Sequence, residues 1–236
     1  MESPRTTTSG ISIQVSLSGY SFKVREGGEV RASAWLSADR LFTTPEFQRR
    51  YDEVDISLLT PKCTLVPESF FRPEAVRALL SDVVALEPSD ATGYVRIPEL
   101  GAVLLFSNTI GESLSKVLSQ TVLTASGASA PVLPEMYYLL KALPACEDYN
   151  KVVASYRDGW LHLAIAQGRS LQLANVYAAP DFTTAEYFLF LALKRLQLNP
   201  EVTTVCFRTP LTSEAELSLY RYFKAVVELC GSSVDA

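Results

Sequence analysis

A chain of 236 residues, 48% apolar and 20% charged, has the composition of an ordinary globular protein and is long enough for one large domain or two small ones. Its net charge of −5, with basic residues no denser than isolated pairs such as Arg49-Arg50, creates no field that would gather phosphates, so nucleic acid is not an expected partner. Apolar stretches such as residues 187–193 fall far short of the ~20 residues a membrane helix needs, and the first ten residues are polar with no apolar signal core; no membrane insertion and a cytoplasmic location are expected.

Residues 11–25 alternate in hydropathy. Ile11, Ile13, Val15 and Leu17 fall on one face, a turn follows at Ser18-Gly19, and Tyr20, Phe22 and Val24 lead the chain back, the pattern of a β-hairpin. Gly27-Gly28 then turns into a third strand over residues 29–36, so a three-strand meander opens the chain. Thr44-Pro45 reads as a helix start, with Thr44 as cap and Pro45 in the first helical position. Strands are predicted over 54–59 and 63–66. Pro73 opens a helix to about Leu86, since Val76, Leu79, Leu80, Val83 and Val84 trace one face at the helical period. A second hairpin, 93–97 with 102–106, precedes a helix around 112–118; the small, proline-punctuated residues 124–134 predict a loop, and 135–143 a helix.

From Lys151 the opening pattern repeats: strands over 152–156, 161–166 and 171–177, with turns at Asp158-Gly159 and Gln167-Gly168. Gly19-Tyr20-Ser21-Phe22 and Gly168-Arg169-Ser170-Leu171 share the order Gly-x-Ser-apolar, and the division falls between 1–148 and 149–236. Thr183 with Glu186, and Ser213 with Glu216, have capping-box spacing for helices to about Leu198 and Lys224. Residues 202–207 and 226–229 are further strands. Residues 187–193 are apolar nearly all round, as in a helix covered on several sides.

Chemistry-bearing residues are sparse. His162 is the one histidine, and its place in Leu161-His162-Leu163 suits a sheet residue better than a catalytic base. Cys63, Cys146, Cys206 and Cys230 lie far apart beside apolar segments, as reduced, buried thiols do. Glu147-Asp148 and Asp52-Glu53-x-Asp55 lack metal-loop spacing, so no metal site is expected.

A three-strand meander followed by alternating helices and strands, twice over, resembles the actin, sugar-kinase and heat-shock-chaperone superfamily, an α/β class with the ribonuclease H-like core. The segments Ser16-Leu17-Ser18-Gly19-Tyr20-Ser21-Phe22, Thr64-Leu65-Val66-Pro67-Glu68-Ser69-Phe70-Phe71 and residues 160–175 resemble, more closely, an uncharacterised family of Bacteroides relatives with an actin-like ATPase fold. The likeness implies two similar lobes, with the Gly19 and Gly168 turns facing each other across a cleft. In active members each opening hairpin carries Asp-x-Gly, the turn holding phosphates and the carboxylate holding Mg²⁺. The matching triplets here are Leu17-Ser18-Gly19 and Ala166-Gln167-Gly168, and no Asp or Glu occurs between residues 3 and 25 or between 159 and 180. Ser18, Ser21, Gln167 and Ser170 have side chains able to hydrogen-bond an anion at these turns, but ordinary turn chemistry also accounts for them. The resemblance therefore implies a degenerate, non-catalytic member with no cofactor, binding another protein; a nucleotide-binding or kinase-like enzyme using the cleft is the alternative. Trp35, Phe42, Phe47 and Tyr51 flank the loop after the first meander and are the candidate partner contacts, unless they pack the helix onto its own sheet.

Overall fold

The protein is described by a computed structural model over residues 8–108 and 112–229. The opening alternation forms β1 (Gly10–Ser16), β2 (Gly19–Glu26) and β3 (Glu29–Ala32). The third strand is shorter than predicted; the chain leaves the ladder after Ala32 and rejoins it where Tyr20 and Leu36 exchange backbone hydrogen bonds of 2.9 and 2.7 Å. The predicted helix at Thr44-Pro45 is a 3-10 turn, Pro45–Gln48, preceded by another over Ala38–Thr43. Next, β4 (Glu53–Leu58) returns parallel to β1.

An antiparallel insertion follows, with β5 (Cys63–Pro67), helix α1 (Val76–Ser81), β6 (Thr92–Ile97) and β7 (Ala102–Ser107). Helix α1 stops well short of Leu86. Its buried Val76 and Leu80 already cover Val103 and Leu105 of β7, and the Arg77 guanidinium holds the following loop by donating to the Glu87 and Asp90 carbonyls at 2.8 and 2.7 Å. Helix α2 (Glu112–Thr121) comes next. Within the predicted loop lies β8 (Val132–Pro134), which pairs in parallel with β4. Its terminal proline leads directly into α3 (Glu135–Ala142).

The second half builds β9 (Asn150–Arg157), β10 (Trp160–Gln167), β11 (Ser170–Ala178), α4 (Phe182–Arg195), β12 (Thr204–Phe207), α5 (Ser213–Tyr220) and β13 (Ala225–Glu228). The helix caps are one or two residues earlier than the capping boxes suggested: Asp181 accepts from the Thr184 amide and Thr212 from the Ala215 amide. Each takes the position from which a side-chain oxygen reaches the third amide of the helix.

The strand orders are β3-β2-β1-β4-β8 in one sheet and β11-β10-β9-β12-β13 in the other. Both are an antiparallel meander whose first strand then takes a parallel neighbour, so the molecule consists of two similar lobes. The outer face of the first sheet buries Ile11, Ile13, Val15 and Ile56 against Leu41, Phe47, Tyr51 and Leu118. The outer face of the second buries Val152, Leu161, Leu163 and Val205 against Leu189 and Leu193 of α4 and Leu219 of α5. The apolar run in α4 is covered on several sides: Phe188 stacks on Tyr177 and Phe190 packs on Tyr222 and Phe223, leaving Tyr187 exposed. On its inner face the second sheet carries α3, with Met136, Leu139 and Leu140 against Val153, Ala164 and Ala166.

Candidate functional site

Strand alternation decides what faces the seam between the lobes. With Ile11, Ile13 and Val15 committed to the outer core, the same strand turns Gln14 and Ser16 the other way, and both are buried although polar. In β4, Ser57 takes the inner face, and in β9 so does Ser155, both fully buried. Glu135, first residue of α3, lies among them with no exposure to solvent.

Its carboxylate is saturated. Oε1 accepts from Gln14 Nε2 at 2.9 Å, Ser155 Oγ at 2.5 Å and Arg208 Nε at 2.9 Å, while the Ser57 hydroxyl donates to Oε2. Gln14 and Ser57 come from the first sheet, Ser155 and Arg208 from the second, so one carboxylate joins the two lobes. Arg208 is itself buried, and its guanidinium lies 5.1 Å from the Tyr138 ring centroid. Burial alone would raise the Glu135 carboxyl, but the Arg208 cation and the Ser155 and Ser57 donors outweigh it and hold the group below its ordinary range. His162, also buried, donates from Nε2 to the Thr60 carbonyl at 2.9 Å, and burial pushes it below its ordinary value. The cavity left between Ser12, Gln14, Ser21 and Arg208 measures about 10 Å³, room for one water.

At the mouth of the seam the two opening turns meet, and here the expectation is corrected. The turn opposite Gly19 is Asp158-Gly159, which joins β9 to β10 and is the topological equivalent of the turn joining β1 to β2. Gly168 joins β10 to β11, at the other end of an eight-residue strand, about 25 Å away; its amide donates to the Tyr149 carbonyl at 2.8 Å. The shared Gly-x-Ser order had aligned the first turn of one meander with the second turn of the other. Gln167 and Ser170 accordingly lie at the far end with Gly168, Gln167 bonded to Asn150 and Ser170 to Gln172. The true second opening turn therefore does carry a carboxylate.

That carboxylate faces the first turn. Asp158 Oδ1 accepts from Ser18 Oγ at 2.7 Å, and Oδ2 accepts from the Ser18 amide at 3.2 Å and from the Ser16 hydroxyl. Asp158 and Gly159 have φ of 50° and 76°, the positive values a type I′ hairpin needs. Trp35 closes the arrangement, donating from Nε1 to Ser18 Oγ at 3.0 Å, while the Arg157 guanidinium lies 4.1 Å from its ring centroid. A further tie runs from Lys23 of β2 to Glu228 at 2.8 Å and to the Leu229 carbonyl at 2.6 Å. Ser21 is buried on β2 and lines the small seam cavity.

Of the four aromatic partner candidates, the structure takes two into the core. Phe47 and Tyr51, each 1% exposed, are core residues, Phe47 packed at 5.3 Å on both Tyr20 and Phe22. Trp35 is half-buried at the seam. Phe42 alone of the four is open to solvent, at 71%. Cys63 and Cys146 are half-buried and Cys206 is buried, all as free thiols, and burial pushes Cys63 up to about 12; Cys230 lies outside the described residues. Among the described residues no three His, Cys, Asp or Glu side chains converge as metal ligands, and no helix is long and apolar enough to cross a membrane.

Glu135, Arg208, Ser16, Ser57, Ser155 and Asp158 were not singled out from the sequence. One signal was available: polar residues at alternate positions of otherwise apolar strands, as at Gln14, Ser16, Ser57 and Ser155, mark a buried polar face.

Solved structures bear on the fold. A Bacteroides thetaiotaomicron protein with an actin-like ATPase fold and unknown function superposes with a TM-score of 0.66 at 16% identity, covering 97% of this chain and 93% of that one. A chain of the PilM–PilN type IV pilus biogenesis complex superposes with a TM-score of 0.50 at 12% identity, covering 96% and 89%. No protein of curated function matches the chain. The two lobes are those of the actin-like ATPase fold, and a family model matches residues 5–226, so the chain belongs to the family described as Protein of unknown function (DUF3822).

Proposed function

We propose that this protein is a non-catalytic actin-fold module, residues 1–148 and 149–236 forming its lobes, that serves in the cytoplasm as a scaffold for another protein. The observation that carries the reading is the bond pattern of Asp158. In this fold the amide and hydroxyls of an opening turn are the donors available to a phosphate, and here the Ser18 amide and the Ser16 and Ser18 hydroxyls are given to a carboxylate of the facing lobe. Deeper in, Glu135 is consumed by four protein donors and is not poised to orient a water. A protein partner is in keeping with the solved neighbour that belongs to the PilM–PilN complex.

One observation favours the alternative, a nucleotide site in the cleft: the second opening turn carries Asp158, so the ground for a degenerate site holds for the first turn only. Such a site would require the contact between Asp158 and the Ser18 turn to open first.

The scaffold reading puts the partner on the surface beside the first meander, where Phe42 projects. Crosslinking in native cells and capture through this chain should recover one protein in stoichiometric amount, and Phe42→Ser should remove it while thermal stability stays within about 0.5 kcal/mol, as for other surface changes. Equal recovery with Phe42→Ser would take the partner away from this surface.

A further inference from the structure

Between the inserted hairpin and the Gly168 end of the second sheet lies a cavity of about 370 Å³. Its floor is apolar, formed by the buried Ile97, Leu140, Leu143 and Ala166. Its mouth is charged: Lys141, Lys151 and Arg169 stand round it with one carboxylate, Glu99. None of the three cations forms an ion pair among the described residues, in a chain whose net charge is −5. Two of them are positioned by neighbours. Lys151 donates from Nζ to the Pro144 carbonyl at 3.2 Å, and Lys141 Nζ lies 5.4 Å from the Tyr137 ring centroid. Arg169 is exposed in the turn after Gly168.

A concave site of this volume, mostly apolar with a few polar groups at one end, has the make-up of a small-molecule pocket. The charge at its mouth selects against amines and favours an anion. Glu99 shares the mouth with the three cations, which weighs against a second negative charge on that anion. A phosphate dianion would set two charges beside Glu99 and would leave the apolar floor uncovered.

We propose that this cavity binds a small carboxylic acid with an apolar tail, the tail lying on Ile97, Leu140, Leu143 and Ala166 and the carboxylate standing among Lys141, Lys151 and Arg169. The site goes beyond the scaffold reading and does not depend on it, because it lies at the opposite end of β10 from Asp158. Gly168, which the sequence pattern assigned to a phosphate turn, instead borders this pocket together with Arg169.

Calorimetric titration of the full chain with decanoate, 1-decanol and decylamine tests the proposal. Decanoate should bind saturably with one site per chain, weakening roughly fourfold for each methylene removed through octanoate and hexanoate. Decylamine should bind at least about tenfold more weakly than decanoate. The double variant Lys141→Glu with Arg169→Glu, both exposed positions, should invert that preference. Absence of saturable decanoate binding, equal binding of decylamine, or indifference to the double charge reversal would each overturn the assignment. Should the variant fail to fold, the head-group and chain-length series on the natural chain still decides.

Discussion

Glu135 shows what a buried charge does in a fold that retains it. Removing one partner of such a pair typically costs about 3–5 kcal/mol, because the other charge is left buried and uncompensated. His162 sits on the same inner face and makes the seam sensitive to acid. Burial lowers its folded-state value, so the folded protein keeps the neutral ring while the unfolded chain takes a proton at its ordinary value. Stability is then complete above about pH 6.5 and falls as pH drops below it, with a slope of at most about 1.4 kcal/mol per pH unit, roughly 3–5 °C in Tm for a chain of this size. Glu135, also lowered, loses its contribution only further down, as pH falls below the usual carboxylate range. Since His162 is the one histidine in the chain, a Tm profile between pH 7 and 5 isolates it. His162→Gln should flatten that part of the profile, whatever it does to Tm at pH 7; an unchanged slope would show that the ring is not held neutral.

The opening hairpin is the element on which the seam depends, and its geometry is fixed by close approach of the chain to itself. Gly19 has φ of +145°, and a Cβ there would stand 2.0 Å from the Leu36 carbonyl oxygen, where the end of the meander crosses the turn. Gly28, also at positive φ, has open space around its missing Cβ. Gly28→Ala should therefore cost only the backbone term, about 1–2 kcal/mol, whereas Gly19→Ala should cost more than about 3 kcal/mol by denaturant unfolding, since backbone must move. Equal costs would mean that the turn yields where Leu36 crosses it. Elements of this kind were legible in the sequence wherever period-two alternation ran for several residues, as in both meanders and in the hairpin of β6 and β7. They were not legible where pairing is short or context-made. Three-residue β8 is recognisable only once β4 lies beside it, and α1 ends early because Arg77 and the loop it binds, rather than helical periodicity, set its length.

At the scale of the whole molecule, the duplication was legible and its register was not. The sequence carries two meanders, but a local Gly-x-Ser match placed Gly168 opposite Gly19, one turn too late; only strand order, β2-β1-β4 against β10-β9-β12, pairs Ser18 with Asp158. The seam was hidden for a related reason. Gln14, Ser57, Glu135, Ser155 and Arg208 come from five separate segments of the chain, and nothing in their spacing announces that they share one carboxylate. Together with the bonds of Asp158 to Ser16 and Ser18 they fasten the two lobes to each other, and in the non-catalytic reading proposed above those turn donors are closed to a phosphate. Titration of the natural chain with ATP and Mg²⁺ by calorimetry tests this most directly. The closed seam predicts no saturable binding tighter than about 100 µM, whereas a dissociation constant in the low micromolar range, equivalent to about 7–8 kcal/mol of specific contacts, would contradict it.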